Sequence, residues 1–317
     1  MVTGAAGFIG ARLGNRLAEL GHDVVGVDLS AADRTPGFDL RRMDFRDHSA
    51  VRPLLDRSEV VFHLAAAHLD LRLSSSEYRD VNANSLRPLL KSAAAAGVRL
   101  FLHVSSVGVY GDLGDWPADE TSPCRPESLY GITKLEGERI VAKSASEFGI
   151  PFEIFRPAWV YGSTCPRTRK IIDALRSGRF VMIGAGRNRR HPIFVEDAVE
   201  AMIRGMEREE AAGETLILGG PEHVTSRELI ETICGVFGFR PPAWTVPYAA
   251  GLVAAAAVEK GFRFLGRQPP VSRRTLEFFR TDNAFDTTRA ENVLGFRPAT
   301  TLREGMEVVH TALNNAA

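Results

Sequence analysis

The sequence has no excess charge of either sign. Lysine plus arginine and aspartate plus glutamate both total 39, so the formal net charge is zero near neutral pH. Without a net electrostatic field, the chain as a whole has no long-range attraction for a nucleic acid or an anionic membrane. We therefore expect a small-molecule substrate and no nucleic acid partner.

Cysteine is scarce as well. The three cysteines, Cys124, Cys165 and Cys234, lie far apart, and none forms a CxxC pair. This spacing argues against a disulfide framework and against a structural zinc site. No cationic stretch followed by an apolar run opens the chain, so no secretory signal peptide is expected. We predict reduced thiols, no metal centre and a cytoplasmic location.

Long hydrophobic runs are also missing. The longest apolar run covers residues 249–258, about half of the roughly twenty residues that a membrane-spanning helix needs. We therefore expect no transmembrane segment. With Pro247 before it and Glu259 after it, the run predicts a buried or capping helix. A helix that lies on a membrane or against an apolar substrate is the alternative.

What the sequence does contain is a glycine-rich turn at its beginning. Residues 3–10 read TGAAGFIG, and they are followed by leucines at helical spacing and by a β-type run that ends in Asp28. Such a turn lets backbone amides at a helix N-terminus approach a pyrophosphate, and the carboxylate lies where ribose hydroxyls are bound. Only three residues precede Gly4, against about five in a usual strand. We expect either a very short first strand or a truncated start.

The N-terminal half alternates β-type runs with helical patterns, which predicts parallel βαβ units covered on both faces. The β-type runs cover residues 23–28, 60–64, 100–105 and 152–155, and the helical patterns cover 10–20, 74–96, 129–147 and 168–176. Residues 1–157 are therefore predicted to form an α/β domain, a Rossmann-type doubly wound parallel sheet.

The alternation of β-type runs and helical patterns ends after residue 157. Loops rich in glycine, proline and arginine are followed by helical patterns near residues 196–207, 226–237 and 302–313. We predict a smaller, mainly helical substrate-binding region over residues 158–317, with the chain crossing between the two parts. It would close over the carboxyl edge of the sheet, where ligands bind in such folds.

Tyr130 and Lys134 lie four residues apart, on one face of a predicted helix. A nearby ammonium favours the phenolate and lowers the tyrosine pKa from about 10. Taken alone, such a pair is most often a surface tyrosine beside a solvated lysine. Ser105 and Ser106, however, end an apolar strand at the same predicted sheet edge, where a hydroxyl can stabilise a developing oxyanion.

Together these segments resemble the extended short-chain dehydrogenase/reductase superfamily, also called the NAD-dependent epimerase/dehydratase family. The motifs run in family order and cover nearly the whole chain: TGAAGFIG, Asp28, Asp44 in DFRD, HLAA at 63–66, Asn82, VSSVGVYG at 104–111, YGITK at 130–134, RPAWVYG at 156–162, HPIFVEDAVEA at 191–201 and FDTTRAENVLGFRP at 285–298.

The resemblance implies a catalytic set of Ser106, Tyr130 and Lys134. Tyr130 would be the acid/base, Lys134 would bind the nicotinamide ribose and tune the phenol, and Ser106 would hydrogen-bond the substrate oxygen. The implied cofactor is NAD, with NADP possible because Arg34 follows Asp28 closely. The implied cofactor-binding residues are Gly4, Gly7, Phe8, Ile9, Gly10, Asp28, Asp44, Phe45, Leu64, Ala65, Ala66, Asn82, Ser105, Tyr130, Lys134 and Pro157.

Departures from the family pattern bear on the reaction. Val107 and Gly108 replace the Asp-Glu pair of the 4,6-dehydratases, which argues against dehydration. Trp159 stands where nucleotide-sugar epimerases usually carry an asparagine. It could shield an apolar ligand or simply be a packed aromatic.

Other features divide between two branches of the family. Arg156-Pro157, Pro269-Pro270 and the apolar segment around Leu252 resemble 3β-hydroxysteroid dehydrogenase-like members. Arg189 and Arg190 instead suit phosphate oxygens, as in the epimerases, although for Arg189 a surface arginine in a loop is an equal alternative. The predicted substrate-binding residues are His68, Ser106, Trp159 and Arg190.

Our leading hypothesis from the sequence is an NAD(P)-dependent oxidoreductase that transfers hydride between nicotinamide and a secondary alcohol or ketone. The alternative is a nucleotide-sugar epimerase, such as a UDP-sugar 4-epimerase, with transient oxidation. A second alternative is a non-catalytic dinucleotide-binding protein. By resemblance, we also expect a homodimer formed through helices 74–96 and 129–147.

Overall fold

The computed structural model describes residues 1–30, 36–68, 73–113, 117–242, 244–264, 276 and 278–315. Arg34 and the Pro269-Pro270 pair, both used in the sequence interpretation, lie outside the described residues.

The strands are short and occur along the whole chain. In chain order they are β1 (Val2–Thr3), β2 (Val25–Asp28), β3 (Asp39–Arg42), β4 (Val60–His63), β5 (Leu100–Val104), β6 (Phe152–Pro157), β7 (Trp159–Tyr161), β8 (Met182–Ile183), β9 (Arg189–Arg190), β10 (Pro192–Phe194), β11 (Thr215–Leu218), β12 (Val224–Thr225) and β13 (Thr245–Val246).

The α-helices alternate with the strands in the first half and predominate in the second. They are α1 (Phe8–Glu19), α2 (His48–Leu55), α3 (Ser75–Arg79), α4 (Leu86–Ala95), α5 (Leu129–Phe148), α6 (Pro166–Arg176), α7 (Val195–Glu207), α8 (Ser226–Phe237), α9 (Tyr248–Phe264), α10 (Thr288–Leu294) and α11 (Leu302–Asn314).

Seven parallel strands of the described chain form the central sheet, in the order β11-β6-β5-β4-β1-β2-β3. The chain moves in one direction from β1 to β3 and then returns to place β4 on the other side of β1. Ligands of doubly wound sheets bind at the carboxyl ends of the strands that flank such a switch point. The predicted Rossmann-type sheet is confirmed, and its switch point lies between β1 and β4.

Helices cover both faces of the sheet. On one face, Leu13 of α1 and Ala198 of α7 belong to a single buried apolar cluster. On the other face, Val51 of α2, Leu90 of α4 and Val141 of α5 form a second cluster. Because both faces are covered, the central strands are nearly continuous apolar runs rather than alternating ones.

The region after residue 157 contributes to the sheet as well as covering it. Strand β11 pairs with β6, and α7 packs on the same sheet. The rest of this region contains helices and the two-stranded pairs β7 with β10, β8 with β13 and β9 with β12. The chain therefore crosses back to the sheet after residue 157. A functional division at that residue stays a prediction.

The helix predicted over residues 74–96 is wrong as one continuous element. It consists of α3, a π-helical segment at Asp80–Asn84, and α4. The π-helical turn contains Asn82, whose side-chain nitrogen donates to the Ala67 carbonyl and to the Thr133 hydroxyl. π-Turns inside helices often occur at functional sites. Here the turn brings a buried amide between two segments that border the predicted site.

The apolar run at 249–258 forms part of α9, but the prediction of a buried helix is only half right. Gly251 and Ala255 face inward, whereas Val253 is 72% exposed and Leu252 is 39% exposed. None of the described helices is long and apolar enough to cross a bilayer.

Among the described residues, Glu153 of β6 has a buried carboxyl group without a hydrogen-bond partner. Its side chain lies fully buried in the core, and no described donor reaches either carboxyl oxygen. Gly205 of α7 packs directly on it, where a side chain would have no room. Burial raises the pKa of Glu153 from 4.5 to about 8, although the charge of Arg99 opposes the shift. Glu153 is therefore mostly protonated in the folded protein at neutral pH.

We predict that Glu153→Gln changes the pH dependence of stability. An unfolded chain releases this proton near pH 4.5 and the folded chain near pH 8, so the wild type loses stability as the pH rises through that window. The loss is at most about 1.4 kcal/mol per pH unit. Urea unfolding at pH 5, 6, 7 and 8 should show the variant free of this loss. Glu210→Gln, at an exposed position, is the control, and parallel curves for wild type and E153Q would contradict the prediction.

Candidate active site

Ser106 and Tyr130 converge beyond the carboxyl end of β5. Ser106 follows this strand, and its hydroxyl accepts a hydrogen bond from the Gly108 amide at 3.1 Å. Tyr130 lies in the first turn of α5. A Cβ placed on Gly108 would lie 3.4 Å from Ser106 Oγ and 3.8 Å from Tyr130 Cδ1. The two predicted catalytic hydroxyl residues therefore border the same small space.

Lys134 lies one helical turn after Tyr130 and is buried. Its ammonium donates to the Val104 carbonyl at 2.7 Å and lies 3.5 Å from His103 Nε2. Burial lowers the pKa of Lys134 from 10.5 to about 8, while the charge of Glu138 opposes the shift. The side chain is therefore still mostly cationic at neutral pH. It holds a positive charge at the end of β5, beside the predicted acid/base.

Two histidines lie behind this lysine, and neither was predicted as a site residue. His63 and His103 are opposite each other in the register of β4 and β5, with ring centroids 5.6 Å apart. His63 also shares a 2.8 Å hydrogen bond with the Thr3 hydroxyl. Burial and the charge of Lys134 lower the pKa of His63 to about 3 and lower that of His103. Both rings are therefore neutral and do not compete with Lys134 for a proton.

A buried ion pair joins the elements of the site and was also missed. Arg156 of β6 donates to both carboxylate oxygens of Glu138 of α5, at 3.0 and 2.7 Å. A third guanidinium nitrogen donates to the Tyr110 hydroxyl at 2.7 Å. Although burial alone would lower it, the pKa of Arg156 is raised by these contacts with Glu138. The only sequence signal was an arginine opening the RPAWVYG motif.

The glycine-rich turn has the shape of an anion site. Gly4 has a φ of 70° and approaches the backbone of Ala65 too closely for any side chain. Gly7 is the N-cap of α1, no side chain caps this end, and the first turn holds no acidic residue. Amides at a helix N-terminus are left without intrahelical partners, and they favour negative charge. The turn therefore fits a pyrophosphate, as predicted from the sequence.

Asp28 lies at the end of β2 beside this turn. Its carboxylate accepts hydrogen bonds from the Ala6 amide at 3.0 Å and the Ser30 amide at 2.9 Å. These bonds fix the carboxylate next to the phosphate-binding turn, where a ribose would follow. Asp44 and Phe45, which by the family resemblance would contact the adenine, are less open, because Asp44 pairs with Arg46 at 2.6 Å and Phe45 is buried against the His63 ring.

The remaining predicted cofactor residues divide into two groups. The half-buried residues Leu64, Ala65 and Ala66 follow β4 at the switch point, where they could line a cofactor. Ser105 and Pro157, at the ends of β5 and β6, are buried. Asn82 is buried too, and its side chain bonds to Ala67 and Thr133. These contacts fit a positioning role for Asn82, which holds the segment after β4 against α5.

His68 lies against the predicted acid/base. Its ring centroid is 4.3 Å from that of Tyr130, and its Nε2 lies 3.3 Å from a guanidinium nitrogen of Arg167. Arg167, in the first turn of α6, was not among the predicted residues. The sequence around Arg167 matches none of the family motifs. Only the fold brings this side chain beside His68.

Arg190 is a buried cation that forms no ion pair with any described residue. Its guanidinium lies 4.2 Å from the centroid of the Phe278 ring, and its Nη2 atom has no hydrogen-bond partner in the described part of the chain. Burial and the charge of Arg167 lower the pKa of Arg190 to about 9, although Asp282 opposes the shift. Trp159 packs near the same Phe278 ring. A buried guanidinium of this kind suits an anionic ligand.

The fold and the site together define an extended short-chain dehydrogenase/reductase. The chain belongs to the NAD dependent epimerase/dehydratase family, whose model matches residues 1–219. The family resemblance expected from the motifs is therefore confirmed.

Relatives occur in both branches that the sequence suggested. A UDP-glucose 4-epimerase of Mycolicibacterium smegmatis is 32% identical over 314 residues, covering 88% of this chain and 98% of that protein. The 3beta-hydroxysteroid-dehydrogenase/decarboxylase isoform 1 of Arabidopsis thaliana is 25% identical over 307 residues, covering 90% and 69%. The solved structure of MoeE5 in complex with UDP-glucuronic acid and NAD matches with a TM-score of 0.80 at 27% identity, covering 100% and 99%.

We predict that burial sets the Lys134 ammonium apart from the other four lysines, Lys91, Lys143, Lys170 and Lys260, which are all exposed. In NMR spectra of protein with isotope-labelled lysine side chains, one signal should titrate near pH 8. Lys134→Arg should remove this signal, and Lys143→Arg should leave it. Spectra in which no lysine signal titrates near pH 8 would contradict the burial argument.

Proposed function

We propose that the protein is an NAD-dependent epimerase that inverts a secondary alcohol of a sugar carried on a nucleoside diphosphate. The observation that carries this proposal is the buried guanidinium of Arg190, which shares its surroundings with the charge of Arg167. Arg167 in turn contacts His68 beside Tyr130. A diphosphate would compensate the positive charge of these two arginines. The nucleotide-sugar relatives support the same substrate class.

The residues present fit NAD as the cofactor. The glycine turn and the N-terminus of α1 would hold the pyrophosphate, and Asp28 would bind the adenosine ribose. A carboxylate at this position repels a 2′-phosphate, so we expect NAD to be preferred over NADP. When bound, NAD supplies the acceptor and donor of a hydride at the substrate carbinol.

The chain's own residues would handle the proton. Tyr130 removes the hydroxyl proton as the carbinol becomes a ketone, and it returns the proton when the alcohol is re-formed. The Lys134 ammonium, one turn away, stabilises the phenolate. Ser106 hydrogen-bonds the same substrate oxygen while negative charge develops on it. Inversion requires that the ketone present its opposite face before reduction, so the sugar must turn while the diphosphate stays bound.

Dehydration is disfavoured by the geometry near Tyr130. Gly108 lies against both Ser106 and the Tyr130 ring. A carboxylate at this position, as in the 4,6-dehydratases, would therefore be well placed to move protons during loss of water. Glycine here, with valine at position 107, provides no such group. The presence of all three catalytic side chains argues against the non-catalytic alternative.

Net hydride transfer between nicotinamide and a secondary alcohol or ketone, our leading hypothesis from the sequence, becomes the second candidate. The observation that favours it is the pair of aromatic rings of Trp159 and Phe278, whose centroids are 6.4 Å apart and which would suit an apolar substrate. The Arg190 guanidinium, however, packs on the same Phe278 ring, and an apolar alcohol would leave that cation without an anion. This is why we rank the epimerase first.

The predicted homodimer and cytoplasmic location stay predictions. Ion pairs join Arg79 to Glu136 and Arg87 to Glu147, so α3, α4 and α5 already pack side by side within one chain.

Tyr130→Phe should reduce turnover at least ~100-fold, because the acid/base is lost, while NAD affinity changes little. Epimerisation of UDP-glucose and UDP-glucuronic acid is followed by product stereochemistry, and NAD or NADP binding by calorimetry. Tyr248→Phe, at the start of α9, is the control and should retain full activity. Unchanged turnover in Y130F would overturn the mechanism. Net accumulation of reduced cofactor with hydroxysteroids or other secondary alcohols, and no inverted sugar, would instead establish the second candidate.

Arg190→Gln should weaken binding of UDP by about 10- to 100-fold, because a buried charge-assisted contact to phosphate is lost. Affinity for NAD should be unaffected. Arg189→Gln is the matched control, since the neighbouring side chain is half-exposed. Calorimetric titration with UDP measures both variants. Equal UDP affinity in R190Q and wild type would remove the main support for a nucleoside diphosphate substrate.

A further inference from the structure

Exposed apolar side chains are concentrated at one place on the molecule. Seven large hydrophobic residues of the described chain are well exposed, and four of them lie around the start of α9. We call these four the α9 surface: Val181 (44% exposed), Trp244 (80%), Leu252 (39%) and Val253 (72%). Large exposed apolar groups in one patch mark an interaction site more often than scattered ones do.

The fold brings these residues together from two segments. Strand β13 pairs in parallel with β8, with Thr245 opposite Met182, so Trp244 lies level with Val181. Helix α9 begins two residues after β13. A Cβ on Gly251 would lie 3.1 Å from Ile183 Cγ2, so Gly251 packs on β8. Leu252 and Val253 therefore point away from the protein.

The outward side of α9 is apolar along most of its length. Its exposed residues before Lys260 are Ala249, Ala250, Leu252, Val253, Ala254 and Ala257. An ordinary surface helix carries charged or polar residues on its solvent side. This helix instead presents apolar groups to solvent as well as to the protein, so its outer side suits a non-aqueous neighbour.

Exposed basic residues lie near this apolar area, although the whole chain is neutral. Arg179 and Arg240 lie close in sequence to Val181 and Trp244, and Lys260 follows Val253 by two helical turns. Tryptophan, exposed apolar side chains such as leucine, and nearby lysine or arginine are features of protein surfaces that lie in a bilayer interface.

We propose that the α9 surface docks the protein on an anionic lipid bilayer. Trp244 lies at the level of the headgroups, Leu252 and Val253 enter the acyl boundary, and Arg179, Arg240 and Lys260 contact anionic headgroups. A second copy of the chain fits this surface less well. A symmetric dimer would bring the same basic residues of both copies together, and like charges at an interface oppose association.

The test is co-sedimentation of the full chain with vesicles of phosphatidylcholine, with and without phosphatidylglycerol. We expect binding to the anionic vesicles, weaker binding as salt rises, and a blue shift of tryptophan emission that Trp244→Ala abolishes. Val253→Glu should weaken vesicle binding at least ~10-fold, because a carboxylate must enter the apolar boundary. Val308→Glu is the matched control, at a position of α11 that is 52% exposed and away from the surface. Thermal melts establish that each variant folds.

Three results would overturn the proposal. The first is no binding to either kind of vesicle. The second is an equal loss of binding in V253E and V308E. The third, from light scattering, is a wild-type dimer that Val253→Glu dissociates while vesicle binding is absent, which would assign the surface to a second copy of the chain.

Discussion

The site depends on the buried ion pair between Arg156 and Glu138. It joins the end of β6 to the middle of α5, and its remaining nitrogen holds the Tyr110 hydroxyl near the end of β5. A buried ion pair is stable only when its geometry is close to ideal and its remaining N–H donors have hydrogen-bond partners. Both conditions are met here. Because α5 carries Tyr130 and Lys134, the pair sets where the acid/base lies relative to the strand that precedes Ser106.

The candidate site also contains two buried cations, Lys134 and Arg190. Lys134 is buried against a backbone carbonyl and neutral histidines, and Arg190 is buried on an aromatic ring. Buried cations are unfavourable unless anions compensate them. At Lys134 the charge of Glu138 and a phenolate at Tyr130 would do so, and at Arg190 a substrate diphosphate would. This electrostatic condition supports the proposed class of substrate.

This condition also explains why the order of the two leading functions changes between sequence and structure. In the sequence, the Arg156-Pro157 start and the apolar segment around Leu252 resembled hydroxysteroid-type members, whereas Arg189 and Arg190 suited the epimerases. The structure buries Arg190 because Phe278, from a distant part of the chain, covers it. It also exposes Leu252 and Val253 of the apolar run to solvent. Some of the apolar residues that had suggested an apolar substrate are therefore exposed surface residues.

The sequence alone determined the doubly wound sheet, the glycine-rich turn before α1, and the face shared by Tyr130 and Lys134. These follow from local rules, since helix periodicity, strand hydrophobicity and glycine conformation involve residues close together in the chain. Only the tertiary structure decided the pairing of His63 with His103, the Arg156–Glu138 ion pair, the π-helical break at Asn82, and the contact of His68 with Tyr130 and Arg167. Each of these depends on strand register or on burial by distant segments, and no local pattern encodes such contacts.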